Sequence, residues 1–125
     1  NKIALSYDVN WKLLWSKRFK NILSDAETFK IKGDLITEIG KKTENIKSIN
    51  GQYMGLMKFN PSGWKVFKKC LQKEFQGKYH RLYLTDIFQK LIENNIPVYG
   101  VKFNGKWAEV DSLKDYKIMK KIFNK

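Results

Sequence analysis

The sequence predicts one α/β domain. Three observations carry that expectation: runs of strand-type alternation, runs with apolar residues at helical spacing, and an order in which the two interleave. With 125 residues, 42% of them apolar and 14% aromatic, the chain can bury one core and is too ordered in composition for general disorder. No stretch approaches 18 uninterrupted apolar residues, so no membrane-spanning helix is expected.

The elements follow in chain order. "KIALSY" at 2–7 alternates loosely and reads as a strand. Asn10 is placed to cap a helix whose Trp11, Leu14, Trp15 and Phe19 share one face. "AETFKIKGDLITEIG" breaks at Gly33-Asp34 and gives two short strands joined by a turn. Residues 41–48 are polar and read as a loop, and "INGQYMGLMKF" returns to strand with Gly51 and Gly55 inside it. Glycine within a strand marks a bulge or a close approach to the backbone. Asn60-Pro61 starts a helix with Trp64, Phe67, Leu71 and Phe75 on one face, ended by Gly77. The next helix begins at Thr85 and turns Ile87, Phe88, Leu91 and Ile92 inward. After Pro97, "VYGVKF" reads as a strand, and Asn104-Gly105 predicts a hairpin that pairs it with "KWAEV", near residues 98–110. Ser112 with Asp115 makes a capping-box pattern for a last helix over 112–122.

Composition also limits function. The chain carries 25 Lys and Arg against 12 Asp and Glu, a net charge of +13. Nucleic acid, an anionic lipid surface and a small anionic substrate are all compatible with that balance. The cations are almost all Lys and are spread along the chain, which equally describes a solvated coat. A single Cys70 allows no internal disulfide and fits a helix face better than a catalytic thiol, since only His80 could activate it. No CxxC, HExxH, GxSxG or Gly-rich phosphate loop with Lys-Ser or Lys-Thr is present, so a zinc site or a nucleophile triad has little support.

Four constellations remain. Asp111 stands where a strand is expected to pass into a helix, with Glu109 two residues earlier on the same face. It reads as a Mg²⁺ ligand, because a hard cation takes one or two carboxylates from protein. It reads more commonly as an acid favoured at a helix start. "GQYMG" at 51–55 offers either backbone for a ligand or a bulge. "EIGKK" at 38–42 brings Glu38, Lys41 and Lys42 to a strand end, where the cations could neutralise phosphate or simply be solvated. "NWKLLWSKRF" could stack bases but at helical spacing is more often core.

Taken together, "YDVNWKLLWSKRF", "DAETFKI", "ITEIGKK", "INGQYMGLMKFNPSGW" and "WAEVDSLKDY" resemble the C-terminal half of bacterial sugar-phosphate nucleotidyltransferase-like proteins. The nearest in kind are cytidylyltransferases that handle phosphocholine or phosphonate head groups. The resemblance runs over nearly the whole chain, and "GQYMGLMKF" and "WAEVDS" are its most specific blocks.

That resemblance implies a Rossmann-like nucleotidyltransferase fold, here its C-terminal half, with a mixed sheet and flanking helices. It implies transfer of a nucleotidyl group, CMP from CTP, to a phosphorylated or phosphonylated acceptor with release of pyrophosphate. It further implies Asp111 as a ligand of the cofactor Mg²⁺. Glu38, Gly51, Gln52, Tyr53 and Glu109 would line the acceptor side, and Lys41 and Lys42 would draw in the anionic acceptor. The family's nucleotide loop and first metal Asp have no counterpart in residues 1–125. This is therefore expected to be one segment, the acceptor-binding and metal-completing half, inactive alone and part of a cytoplasmic transferase for cell-surface polysaccharide or phosphonate synthesis. An open sheet edge would allow self-association. No nucleic acid or membrane partner is expected; a basic module binding nucleic acid or another polyanion is the competing reading.

Overall fold

The computed structural model describes residues 2–124. The order of elements is β1 (Ile3–Asp8), α1 (Trp11–Arg18), β2 (Glu27–Lys32), β3 (Leu35–Lys42), β4 (Gln52–Phe59), α2 (Pro61–Phe75), α3 (Leu84–Glu93), β5 (Tyr99–Phe103) and α4 (Leu113–Phe123). The five strands form one mixed sheet in the order β2-β3-β5-β1-β4. β1 lies between β5, to which it is parallel, and β4, to which it is antiparallel. Its burial on both faces explains why "IALSYD" lacks a clean polar alternation.

The buried apolar side chains form two clusters. Ile3, Leu5 and Tyr7 face a core with Phe29, Ile36, Ile39, Phe67, Ile87, Phe88 and Leu91, which seats α2 and α3. A smaller cluster joins Trp11, Leu14, Trp15, Ala26 and Ile49, with Trp107 and Ile122 packed against it. That second cluster ties α1 to the chain leading into α4. Cys70 is buried in the first cluster, as its place on a helix face suggested, and His80 is exposed.

Helix boundaries follow local chemistry. Asn60 Oδ1 accepts a hydrogen bond from Gly63 N at 2.7 Å, with Pro61 next to the cap. Ser112 Oγ accepts from Asp115 N at 3.1 Å. Asn10 departs from expectation: its side chain makes no cap bond, and instead Asp8 Oδ1 accepts from Asn10 N at 2.8 Å. Trp64 is 47% exposed rather than buried, although it stacks on Phe67 at 5.6 Å. Of the expected loop at 41–48, Lys41 and Lys42 belong to β3.

The predicted hairpin does not form. β5 ends at Phe103, and residues 104–112 contain no strand. Asn104-Gly105 is a strong local signal, and although β1 pairs with β5 along all five residues, β3 meets its other edge only at Tyr99, so the edge itself does not forbid a hairpin. The following segment is held instead by side chains. Trp107 Nε1 donates to Asp8 Oδ2 at 2.6 Å, and its ring lies 6.2 Å from that of Trp15. Burying an indole with its N–H satisfied outweighs a short ladder.

The two glycines of "GQYMG" serve the sheet. Gly55 has φ +79° and sits where the β1–β4 register jumps from Leu5↔Met57 to Tyr7↔Tyr53, so it belongs to a bulge. A Cβ on Gly51 would come within 2.5 Å of the Tyr7 ring. Gly40 combines two constraints: its φ is +80°, and a Cβ there would meet Thr85 Cβ at 2.7 Å. Gly40→Ala should therefore lower stability by about 2 kcal/mol. Gly33→Asn, at φ +60° with open space around it, should change it by less than about 0.5 kcal/mol. Urea titrations of the two variants check this, and equal midpoints would refute it.

Candidate functional site

The site is organised around Arg18, the last residue of α1, whose side chain is 1% exposed. Its guanidinium lies 5.2 Å from the centre of the Trp15 ring and 4.8 Å from that of Phe19. These rings fix the plane of the group. Nε donates to Asp115 Oδ1 at 2.9 Å and Nη2 to Asp115 Oδ2 at 3.0 Å, a forked pair between two buried groups. Nη2 also reaches Asp111 Oδ2 at 3.0 Å, and Nη1 reaches Glu109 Oε2 at 3.3 Å. Asp25 Oδ2 lies 4.0 Å from Nη1 and accepts from Trp15 Nε1 at 3.0 Å. Four of the twelve acids of a strongly basic protein thus surround one arginine.

The protonation of these groups follows from that crowding. The hydrogen bonds from Arg18 pull Asp115 down to about 2, against the opposing effect of its burial. Burial pushes Glu109 up; Arg18 pulls it back, while Asp111, Asp25 and Asp115 add to the rise. Burial alone would lower the Arg18 guanidinium, but Asp115, Glu109 and Asp111 together raise it.

Beside this cluster opens a cleft of about 410 Å³. Its walls are Trp15, Tyr53, Tyr83 and Phe29, the acids Asp25, Glu27, Glu109 and Asp111, and Thr28, Ile39, Gln52 and Thr85. Two larger hollows, near Asn60 and Pro97 and near Gln76 and Leu82, contain none of the expected site residues. Chemistry rather than size therefore selects the smaller one.

The sequence-derived residues divide sharply around it. Gln52, Tyr53, Glu109 and Asp111 line the cleft; Glu38, Lys41, Lys42 and Gly51 do not. Gln52 shapes the wall, since its Nε2 donates to Glu27 O at 2.7 Å and its Oε1 accepts from Glu27 N at 3.1 Å, stitching β4 to β2. Glu38 is held by Lys30 at 3.4 Å and Lys41 at 3.5 Å. Lys42 stands nearer, donating to Asp25 O at 3.3 Å. Tyr53 keeps a buried hydroxyl with no hydrogen-bond partner among the described residues, and burial pushes it up to about 12.

Sequence reasoning left Arg18, Asp25, Tyr83 and Thr85 out of the site, and placed Asp115 in a capping box alone. Asp115 does take part in the cap through its backbone N–H, but its carboxylate serves Arg18 and accepts from Asp111 N at 3.1 Å. One signal for Arg18 was present: with only two arginines among 25 cations, an arginine beside Trp15 and Phe19 suggests a demand for a planar fork.

Mg²⁺ can be tested against these groups. Among the described residues, no group of three or more Asp, Glu, His or Cys could hold a metal ion alone. Asp111 nevertheless suits a partial role. Its side chain is 71% exposed and Arg18 takes only Oδ2, leaving Oδ1 for a further ligand. Mg²⁺ commonly takes one or two carboxylates and completes its shell with phosphate and water.

The architecture places the chain among proteins with a nucleotidyltransferase-type α/β fold. The inositol-1-phosphate CTP transferase from T. maritima superposes with a TM-score of 0.67 at 22% identity, over 98% of this chain and 46% of that one. At the level of sequence, the chain is 35% identical over 123 residues to the CTP:phosphoglutamine cytidylyltransferase of Campylobacter jejuni, covering 94% of this chain and 49% of that protein. No family model matches. The chain thus spans about half the length of these relatives, and the Rossmann-like α/β fold expected from sequence is shown for that half. Among the described residues, no helix is long and apolar enough to cross a membrane.

The Arg18–Asp115 pair generates a pH prediction. Asp115 lies below its ordinary 3.8 in the folded state, so its stabilisation is complete above pH 3.8 and is lost as pH falls through about 2. Asp115→Asn should cost roughly 2 kcal/mol at pH 7 and flatten the acid limb of the stability curve. Urea midpoints from pH 7 to pH 2 measure both; an unchanged acid limb would show that the pair contributes nothing.

Proposed function

We propose that these residues are the acceptor-binding and metal-completing half of a cytidylyltransferase that joins CMP from CTP to a phosphorylated or phosphonylated acceptor. The observation that carries this reading is the meeting of Asp111, Glu109 and Tyr53 on one cleft in a fold shared with a CTP transferase. The 35% identity to a cytidylyltransferase supports it. An acceptor oxygen attacks the α-phosphorus in line, the new P–O bond forms, and pyrophosphate leaves. Both partners are anions, so catalysis here is chiefly positioning and charge neutralisation. Mg²⁺ bound at Asp111 would supply the neutralising charge. Glu109 orients the Asp111 end of the cleft, and Lys42 at the rim meets the acceptor's phosphate, with Lys41 behind it on Glu38. We place the reaction in the cytoplasm, where CTP is available, in synthesis of a surface polysaccharide or phosphonate.

The lining also bears on the acceptor. In a chain of net charge +13, this cleft is lined by four carboxylates and four aromatic rings, with no Lys or Arg in the lining. The single Arg18 behind the wall serves three of those acids and so balances only part of their charge. Such a wall repels phosphate and favours a cationic amine, which the rings and acids can hold together. The acceptor is therefore read as an amine-bearing phosphate or phosphonate, with its amine in the cleft and its phosphate at the mouth. The acid lining of the cleft equally disfavours nucleic acid there, against the reading of a polyanion-binding module.

Two measurements test these statements. In the complete enzyme, Asp111→Asn should reduce turnover by roughly a hundredfold or more with little loss of stability. A near-wild-type rate would leave Asp111 as a helix-entry acid. Separately, NMR titration of the chain with phosphoethanolamine should shift Trp15, Tyr53 and Tyr83, whereas glycerol phosphate should not. Equal shifts from both compounds would remove the amine.

A further inference from the structure

We propose that Arg18 is a positioning residue that presents the Asp111 carboxylate to a divalent cation as a one-oxygen ligand of fixed direction. This rests on the reading of Asp111 as a metal ligand and adds to it a cause for its geometry. Residues 104–112 contain no strand, so no ladder fixes Asp111. It is tethered twice by other means. Asp115 Oδ2 accepts from its backbone N at 3.1 Å, and Arg18 Nη2 donates to its Oδ2 at 3.0 Å. The same Nη2 also serves Asp115 at 3.0 Å, so the two carboxylates are set relative to one another by a single rigid group.

The direction of that group is itself fixed. Trp15 and Phe19 supply ring faces to the guanidinium, and Asp115 grips it through two parallel bonds. An otherwise exposed carboxylate on an irregular segment would sample several rotamers and bind a cation only in some of them. Holding one oxygen removes that freedom and commits Oδ1 to the outside. Lysine could not replace this device. It is a point charge on a flexible stem and cannot bond Asp115 through a fork while reaching Asp111 and Glu109.

A purely structural Arg18, fastening α1 to α4 through Asp115, would have no bearing on cation binding. The test uses the chain itself with Mn²⁺ as the probe, read by paramagnetic broadening of amide signals. Wild type should show weak, saturable broadening centred on Asp111 and Glu109 as Mn²⁺ is added, with water filling the open positions; none there would overturn the metal reading and the positioning role with it. Arg18→Lys should need about tenfold more Mn²⁺ for the same broadening, the loss typical when a group orienting a ligand is removed. Phe19→Leu, which changes no charge and only loosens the platform, should shift it by roughly threefold, a fraction of the loss typical of such supporting groups. It keeps the question answerable should Arg18→Lys fail to fold. Asp111→Asn separates the two layers of the argument. If it leaves the broadening at residues 109–111 unchanged, the metal reading of Asp111 is wrong. If it abolishes the broadening while the folded Arg18→Lys and Phe19→Leu proteins titrate like wild type, the metal reading stands and the positioning role of Arg18 is overturned.

Discussion

One buried charge organises the functional end of this molecule. Arg18 is enclosed to 1% exposure, and a guanidinium cannot shed its proton, so burial obliges the fold to bring acids to it. Asp115 from α4 supplies the main answer; Glu109 and Asp111 from the preceding segment and Asp25 from the β2 approach supply the rest. Four separate stretches of chain meet there because one residue demands it. Such clusters add little net stability over an apolar alternative, and fixing where the carboxylates point is the role proposed for this one.

The same demand shapes the charge of the cleft. Four carboxylates against one arginine leave an excess of negative charge in a protein that is otherwise strongly positive. Burial of Glu109 raises it, and burial of Glu27 does the same, with Asp25 and Asp86 adding and Lys42 opposing. Both groups would become more comfortable beside a cation. The lysine coat and the acid cleft therefore carry opposite signs: the coat attracts anions to the surface, and the cleft favours a positive group.

Most of the fold was legible because its elements agree with their local signals. The apolar face of α3, the Asn60-Pro61 start of α2 and the Ser112 cap of α4 are all short-range chemistry. The failures share another origin. Asn104-Gly105 promised a hairpin, but the turn signal carries no information about distant partners, and Trp107 had one in Asp8. Asn10 holds the cap position without a side-chain cap bond, because its side chain donates instead to the distant Asn104 Oδ1 at 2.6 Å. In the site, Asp111 with Glu109 and the stretch holding Gln52 and Tyr53 stood out from local pattern, a resemblance gave them roles, and all four line one cleft. Asp25 and Arg18 were missed because their roles exist only after α1, β2 and α4 have packed.

The double role of Asp115 is the most instructive of these. Its spacing from Ser112 is that of a capping box, and its backbone N–H does meet the Ser112 hydroxyl. A cap residue on an exposed helix start would leave its carboxylate in water, worth well under about 1 kcal/mol to the macrodipole. Here the same carboxylate is 6% exposed and bound to Arg18 on both oxygens, so one residue closes the helix with its main chain and anchors the site with its side chain. Sequence spacing sees only the first of these functions. The second depends on an arginine 97 positions away, and it is this long-range bond that makes the start of α4, and with it Asp111, part of the site rather than merely adjacent to it.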